Sequence, residues 1–397
     1  MLIVGIDVGK RNHEAAIIDE KGAIKGGKSF RFANSHEGIA LLLGHINKHN
    51  PNKEEIVFGL EATGHYWLSL YDHLSQEGFK LHVINPIQTD SLRNFNIRST
   101  KTDSVDSQLI ANAVRMGNFP QTRLAEDDLL ELKELGRLRL SHSSMVGDIK
   151  RRVISTLDRV FPEYETLFTD IFGATSIQLL SEYPTPEALA SLETEKLAGI
   201  IASLSRGRFG MEKAQEIQSK AQNTFGNRFA QQALVLQIKQ LLEQIKLVEE
   251  QMAELDAIIA QKVSTISPVA TTIPGFGPVL GAVLVGEIGD IRRFDSAAKL
   301  VAFAGIDPSL RQSGEFEGSK IHMSKRGSPH LRRAIWMAAM NASKNDPTLK
   351  EYYQKKRAEG KHHMRALGAV CRKLCHIIFA VMRDNKPYQL TVQTPND

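Results

Sequence analysis

Short apolar runs bounded by turn residues open the chain: LIVGID, HEAAIID and KSFRF. Runs of this length read as strands, and the turn from Asp19 to Gly22 joins the second to the third. Residues 2–33 are therefore expected to form an antiparallel meander. The spacing then changes. HEGIALLLGHINKH has helical periodicity, IVFGLEA is a strand, HYWLSLYDHLSQEG a helix and KLHVINP a strand. KTDSVDSQLIANAVR predicts one more helix. Three hairpin strands followed by alternating helix and strand is the order of an α/β, RNase H-like domain, expected over 1–120. That order makes the first and fourth strands neighbours.

From Leu124 to Phe161 the pattern is one long helix, stopped by Pro162. Residues 163–225 read as a helical insert punctuated by Pro184, Pro186, Gly207 and Gly210, without recognisable chemistry. Leu234, Ile238, Leu241, Ile245, Val248, Met252, Leu255 and Ile259 follow, alternately four and three apart. This heptad seam predicts a coiled-coil element in a helical middle domain over 121–262. Such a seam has two uses, an antiparallel hairpin with the 124–161 helix and a contact with a second copy, and both can hold because a helical hairpin can pair with its twin. The strict heptad period favours self-association. The remainder, 263–390, is expected to be a mostly helical domain, with a tail over 391–397.

Composition narrows the class. A chain of 397 residues has room for two or three domains, and 42% hydrophobic with 24% charged residues describes a globular protein. No stretch approaches membrane-spanning length and no apolar leader opens the chain, so a cytoplasmic protein without a membrane partner is expected. Cys371 and Cys375 lack the second pair that zinc requires and read as small core residues. The net charge of +5 is unevenly placed. Residues 311–333 hold six Lys/Arg against two Glu, and residues 350–373 hold eight against two. Adjacent clusters of this kind suit a polyanionic partner, whereas either alone is equally a solvated helix face.

Four carboxylates sharpen that expectation. Asp7 ends the first strand, Glu61 ends the fourth, and Asp103 and Asp106 share one helical face. Acids gathered this way suit Mg²⁺, or Mn²⁺, ions that clamp the attacking and leaving oxygens of a phosphodiester. Phosphoryl transfer on nucleic acid is the leading reading. Each acid also has a plainer one: Asp7 as a turn acid, Glu61 as a cap for the helix near His65, Asp103 as the cap of its own helix. Together the four would repel one another unless cations compensate, which favours function.

The basic candidates lie elsewhere. Lys101 precedes the helical acid pair, as a phosphate contact or as an ordinary exposed lysine. Arg137, Arg151 and Arg152 decorate the long helix, where a phosphate backbone or plain amphipathicity would explain them. Gly275 and Gly277 lie in a Pro-Gly-Phe-Gly turn like that of helix-hairpin-helix modules, in which backbone N–H groups approach a phosphate. A tight packing turn is the alternative. Arg311, Lys320, Lys325 and Arg326 surround Ser313 and Gly314, and Arg332 and Arg333 open the next helix. A serine hydroxyl among cations can attack phosphorus only with help from a metal, a base or nearby positive charge. By residue type alone a turn serine is the simpler reading, and Ser319, Ser324 and Ser328 are equally available.

The set GIDVGK, GLEATGHYW, INP, KTDSVDSQLIA, IPGFGPVLGAVLVGEIGDIRRF, LVAFAGIDPSLRQSG and MSKRGSPHLRRAIWMAA resembles the DEDD transposases of bacterial insertion sequences, the bridge-RNA-guided recombinases. The resemblance covers about 1–120 and 265–390. It implies a RuvC-like N-terminal domain in which Asp7, Glu61, Asp103 and Asp106 hold Mg²⁺. It also implies that Ser313 is the nucleophile, forming a covalent phosphoserine link to a cut strand. Donor and target DNA, a structured non-coding guide RNA, and assembly as dimers or tetramers are the implied partners. A structure-selective, Holliday-junction type nuclease that uses water is the competing reading.

Overall fold

The structure is a computed structural model that describes residues 1–95, 102–117, 122, 125–309, 312–313, 316–317 and 322–390. Two compact units divide the chain, Met1–Leu124 and Ala125–Asp397. Among the described residues no helix is long and apolar enough to cross a membrane.

The first unit is a five-stranded sheet: β1 (Leu2–Asp7), β2 (Asn12–Asp19), β3 (Ile24–Ala33), β4 (Ile56–Glu61) and β5 (Lys80–Ile84), in the order β3-β2-β1-β4-β5. The first three strands are antiparallel neighbours, and β4 and β5 add in parallel. This is the RNase H-like arrangement expected from the element order. Among the described residues four α-helices complete the unit: α1 (His36–Asn47), α2 (Trp67–Gln76), α3 (Pro86–Phe95) and α4 (Asp103–Met116). Alternation along the strands decides what each face meets. Val4, Ile6, Ala15, Ile17, Phe58 and Leu60 share one core with Ile39 and Leu42 of α1 and Leu70 and Leu74 of α2. Ile3 and Ile18 face the other way and pack on Ala111 of α4.

Glycine lets α4 lie directly on the sheet. A Cβ on Gly5 would fall 2.2 Å from the Ser107 carbonyl oxygen and 2.3 Å from the Ala111 nitrogen. One on Gly59 would fall 2.6 Å from Val114 Cγ2. We therefore expect Gly5→Ala to destabilise this unit by about 1–3 kcal/mol, toward the upper end, because backbone and not a movable side chain is in the way. Urea denaturation followed by circular dichroism measures it, and an unshifted midpoint would mean that α4 does not lie this close.

The second unit is helical. Its two longest elements, α5 (Asp127–Val160) and, after the insert, α10 (Gln231–Ile266), pack along each other. Arg139 donates to Asp256 at 2.6 and 3.2 Å, Lys150 lies 3.6 Å from Glu249, and Lys262 pairs with Glu131. Partner numbers fall as the others rise, so the pair is antiparallel. The insert supplies α6 (Ala174–Glu182), α7 (Pro186–Ala190), α8 (Thr194–Leu204) and α9 (Met211–Gln222). They form a core with one end of the pair, from Val146 to Val160 and from Leu234 to Val248. At the other end Leu132, Leu140, Leu255, Ile259 and Val263 join the C-terminal helices. The heptad residues are thus buried inside the chain, with Met252 partly so. The seam packs on α5, the insert and the C-terminal helices, which is the hairpin use of the heptad pattern.

The C-terminal helices are α11 (Pro278–Ile288), α12 (Ala297–Phe303), α13 (Pro329–Asn345), α14 (Pro347–Ala358) and α15 (His363–Asp384). Cys371 and Cys375 are free and fully buried on α15, as expected of core residues, and burial pushes the Cys375 thiol up to about 12. Between α12 and α13 the backbone forms a two-stranded ladder, β6 (Gln312–Ser313) with β7 (Phe316–Glu317).

Candidate active site

Sheet parity places the acids. Gly5 and Gly59 face α4, so Asp7 and Glu61, each two residues further along its strand, face it too. The parallel register of β1 with β4 runs to Ile6 opposite Leu60, which leaves Asp7 and Glu61 as the next positions on neighbouring strands. The direction of α4 supplies the other two. Its last turn lies over the β2–β3 turn, where a Cβ on Gly22 would sit 3.2 Å from Arg115 Nε. Its first turn, holding Asp103 and Asp106, therefore points to the end of the sheet where β1 and β4 finish. Asp106 is buried, Asp7 and Glu61 are half-buried, and Asp103 is exposed.

The plainer readings of two acids fail. Thr102, not Asp103, caps α4: its Oγ1 accepts from the Val105 N–H at 3.3 Å. The α2 helix starts after Tyr66 with no side-chain cap, so Glu61 does not serve it. Glu61 instead accepts hydrogen bonds at 2.6 Å from the hydroxyls of Thr63 and of Thr89, the latter buried. Sequence reasoning missed a fifth acid. Glu14 lies directly opposite Asp7 in the β1–β2 register and accepts from the Ser29 hydroxyl. Counting back from the Asp19 turn would have found it.

This donor set suits a hard divalent cation in kind, being all carboxylate oxygen. Like charges opposed across a strand pair, Asp7 and Glu14, also favour a nearby cation. The side chains do not close around one as they stand: among the described residues no three His, Cys, Asp or Glu side chains form a group that could hold a metal ion. The placement of the backbone and the donor chemistry fit a cation. The rotamers, with Glu61 turned onto two threonines, leave the cage open.

Ser313 lies in β6, its backbone paired with Phe316. Its side chain is outside the described residues, as are Lys101, Arg311 and Lys320 entirely.

Comparison with known proteins decides the family. A profile described as a transposase of DEDD type, IS110, matches residues 4–162, and one described as the transposase IS116/IS110/IS902 family matches 267–354. The chain belongs to this transposase family. It is 26% identical, over 98% of both chains, to an uncharacterised 42 kDa protein of insertion element IS900 from Mycobacterium paratuberculosis. It is 24% identical, over 97% of both chains, to a pilin gene-inverting protein of Moraxella bovis. T. thermophilus RuvC in complex with a Holliday junction matches 31% of the chain and 100% of its own at 11% identity, with a TM-score of 0.22. The protein is a transposase, an enzyme that cuts and rejoins DNA.

Several basic residues that the sequence offered for nucleic acid have partners within the transposase's second unit. Arg137 donates at 2.5 Å to Glu287, an acid 3% exposed within α11. Burial alone would push the Glu287 carboxyl up, yet hydrogen bonds from Arg137 and from Ser328 (2.7 Å) hold it below the ordinary value. Arg333 donates to Leu140 and Ser144 of α5, and Arg332 to the Ala304 carbonyl. Gly275 has φ +83°, and a Cβ there would lie 2.2 Å from the Ala338 carbonyl oxygen, so it is a packing glycine of a tight turn. Gly277 precedes α11 with open space around it. Arg151 is exposed and paired with Asp148, and Arg152, Lys325 and Arg326 are exposed. Glu287 escaped sequence reasoning, although a lone acid in PVLGAVLVGEI was a legible signal.

Proposed function

We propose that this transposase transfers DNA strands with Asp7, Glu61, Asp103 and Asp106 as ligands of Mg²⁺ and Ser313 as nucleophile. The observation that supports it best is the single sheet end shared by the four acids across β1, β4 and α4. A bound Mg²⁺ would supply Lewis-acid stabilisation of charge on the phosphate. The chain's own part is to present the ligands and the hydroxyl. The Ser313 oxygen attacks phosphorus, its proton passes to solvent or a neighbouring base, and the bond to the leaving sugar oxygen breaks. The resulting phosphoserine ester keeps the energy needed to rejoin strands. Water as nucleophile would leave a hydrolysed end instead. A relative named for inverting a pilin gene favours rejoining over hydrolysis, since inversion ends in sealed DNA.

Donor and target DNA are the proposed substrates, with a structured guide RNA selecting both and the protein reading backbone and shape. Ser313 and the acids belong to different compact units, so a dimer or tetramer is the proposed working form, with unlike units of two copies cooperating. Ser313→Ala tests the nucleophile. With Mg²⁺ and cognate DNA the parent protein should yield a covalent protein–DNA adduct on denaturing gels, and the variant none. Full cleavage by the variant would instead identify a water-using nuclease.

A further inference from the structure

We propose that the C-terminal helices hold a pocket for one unstacked base of the DNA strand being cut. This rests on the strand-transfer reading above and names where the opened strand is held. The pocket, about 870 Å³, lies among α13, α15 and the two chain segments leading to the β6–β7 ladder. Its volume suits a small organic group, for which about 300–1,000 Å³ is usual. Trp336 of α13 is its aromatic wall, with Met323 and Met364 beside it. Gly368 of α15 lies beside the indole: a Cβ there would sit 4.0 Å from Trp336 Cζ3, so a larger side chain at this position would crowd the ring. Aromatic rings in such places stack on nucleobases without regard to sequence.

The rim is cationic. Arg365 and Arg372, seven residues apart on α15, are exposed and line the pocket. Lys361 also lines it but is shared with Glu359 at 3.0 Å. Arg372 and Ala369 also line a second hollow of about 540 Å³, together with Lys373 and His376. Lys373 there sits over the Tyr352 ring at 5.1 Å. An aromatic slot with a cationic rim that continues into a second cationic hollow is complementary to a base and its neighbouring phosphates, and to neither an apolar peptide nor an intact duplex.

Position selects DNA as the occupant. Pro308 and Met323 line the pocket and pair with each other in an isolated bridge, and the Ser309 N–H donates to the His322 carbonyl at 2.8 Å. These contacts close the neck of the loop that carries Ser313 in β6. The pocket wall is thus the base of the serine hairpin, and the strand nearest that serine is the one being cut.

The chain has two tryptophans, Trp67 and Trp336, so full-length Trp67→Phe protein reports on the pocket alone. Single-stranded DNA should quench its emission saturably, whereas duplex of the same sequence should bind without quenching. Gly368→Leu, which puts a bulky side chain against the indole, should abolish quenching while duplex binding remains. Arg365→Gln with Arg372→Gln should weaken single-strand binding about tenfold and lower the log–log salt slope by about 0.7 for each cation removed. Duplex binding with no quenching by single strands, quenching that survives Gly368→Leu, or quenching by RNA alone would each overturn this site and leave the strand-transfer reading standing. Failure to bind any nucleic acid would overturn both.

Discussion

Asp7→Ala reduces DNA cleavage by this transposase on the order of 10³-fold and leaves the fold in place. Metal-assisted stabilisation of a phosphoryl transition state is worth several kcal/mol, and each 1.36 kcal/mol is about tenfold in rate. Asp7 ends β1, half-buried, beside the end of β4 and under the first turn of α4. It contributes nothing to the hydrophobic face of the sheet, which Val4 and Ile6 supply. Its removal also ends the opposition with Glu14 across the strands. Single-turnover cleavage measures the rate, and a Mn²⁺ titration by calorimetry measures the ion. Retained cleavage, or unchanged metal affinity in the variant, would sink the carboxylate site. Mixing Asp7→Ala with Ser313→Ala protein extends the test. Recovered activity means that acids and serine come from different copies, and none means that one chain supplies both.

Glu287→Ala costs the helical unit about 3–5 kcal/mol, the usual result of removing one partner from a buried ion pair. The lower end is expected, because the Arg137 side chain is 36% exposed and water partly replaces its partner. Ser328 loses its acceptor as well, at the cap of α13 where its oxygen also accepts from the Leu331 N–H. Glu287→Gln keeps the shape and removes the charge. The folded carboxyl lies below its ordinary value of 4.5, so its contribution is fully present above that value. It is lost as pH falls through the folded value. The stability gap between parent and Glu287→Gln should therefore be constant near neutrality and shrink below about pH 4.5. Guanidinium melts at several pH values follow it. A gap that widens in acid would mean that Glu287 is neutral in the folded protein.

Much of the first unit was legible from local pattern. Strand parity put Asp7 and Glu61 at strand ends on one face, and three-residue spacing put Asp103 and Asp106 on one side of a helix. The register of the meander, which opposes Glu14 to Asp7, also follows from a short turn. What could not be read is how far the four side chains close on one another. Rotamers depend on neighbours such as Thr89, 28 residues from Glu61 in sequence. In the second unit the heptad seam was plain, but its partner was not. A seam fits α5 and the insert as well as a second copy, and the choice rests on contacts across a hundred residues.

By itself the sequence determined the family, the order of strands and helices, and the acids that end them, because turn chemistry and periodicity act over a few residues. Only the tertiary structure decided which of the described cations have partners within the chain. Arg137 and Arg333 read like Arg152 along the chain, yet Arg137 meets a buried carboxylate and Arg333 meets α5, while Arg152 faces solvent. A guanidinium carries the same charge in every case. What differs is the helix that packs against it, and long-range packing sets that.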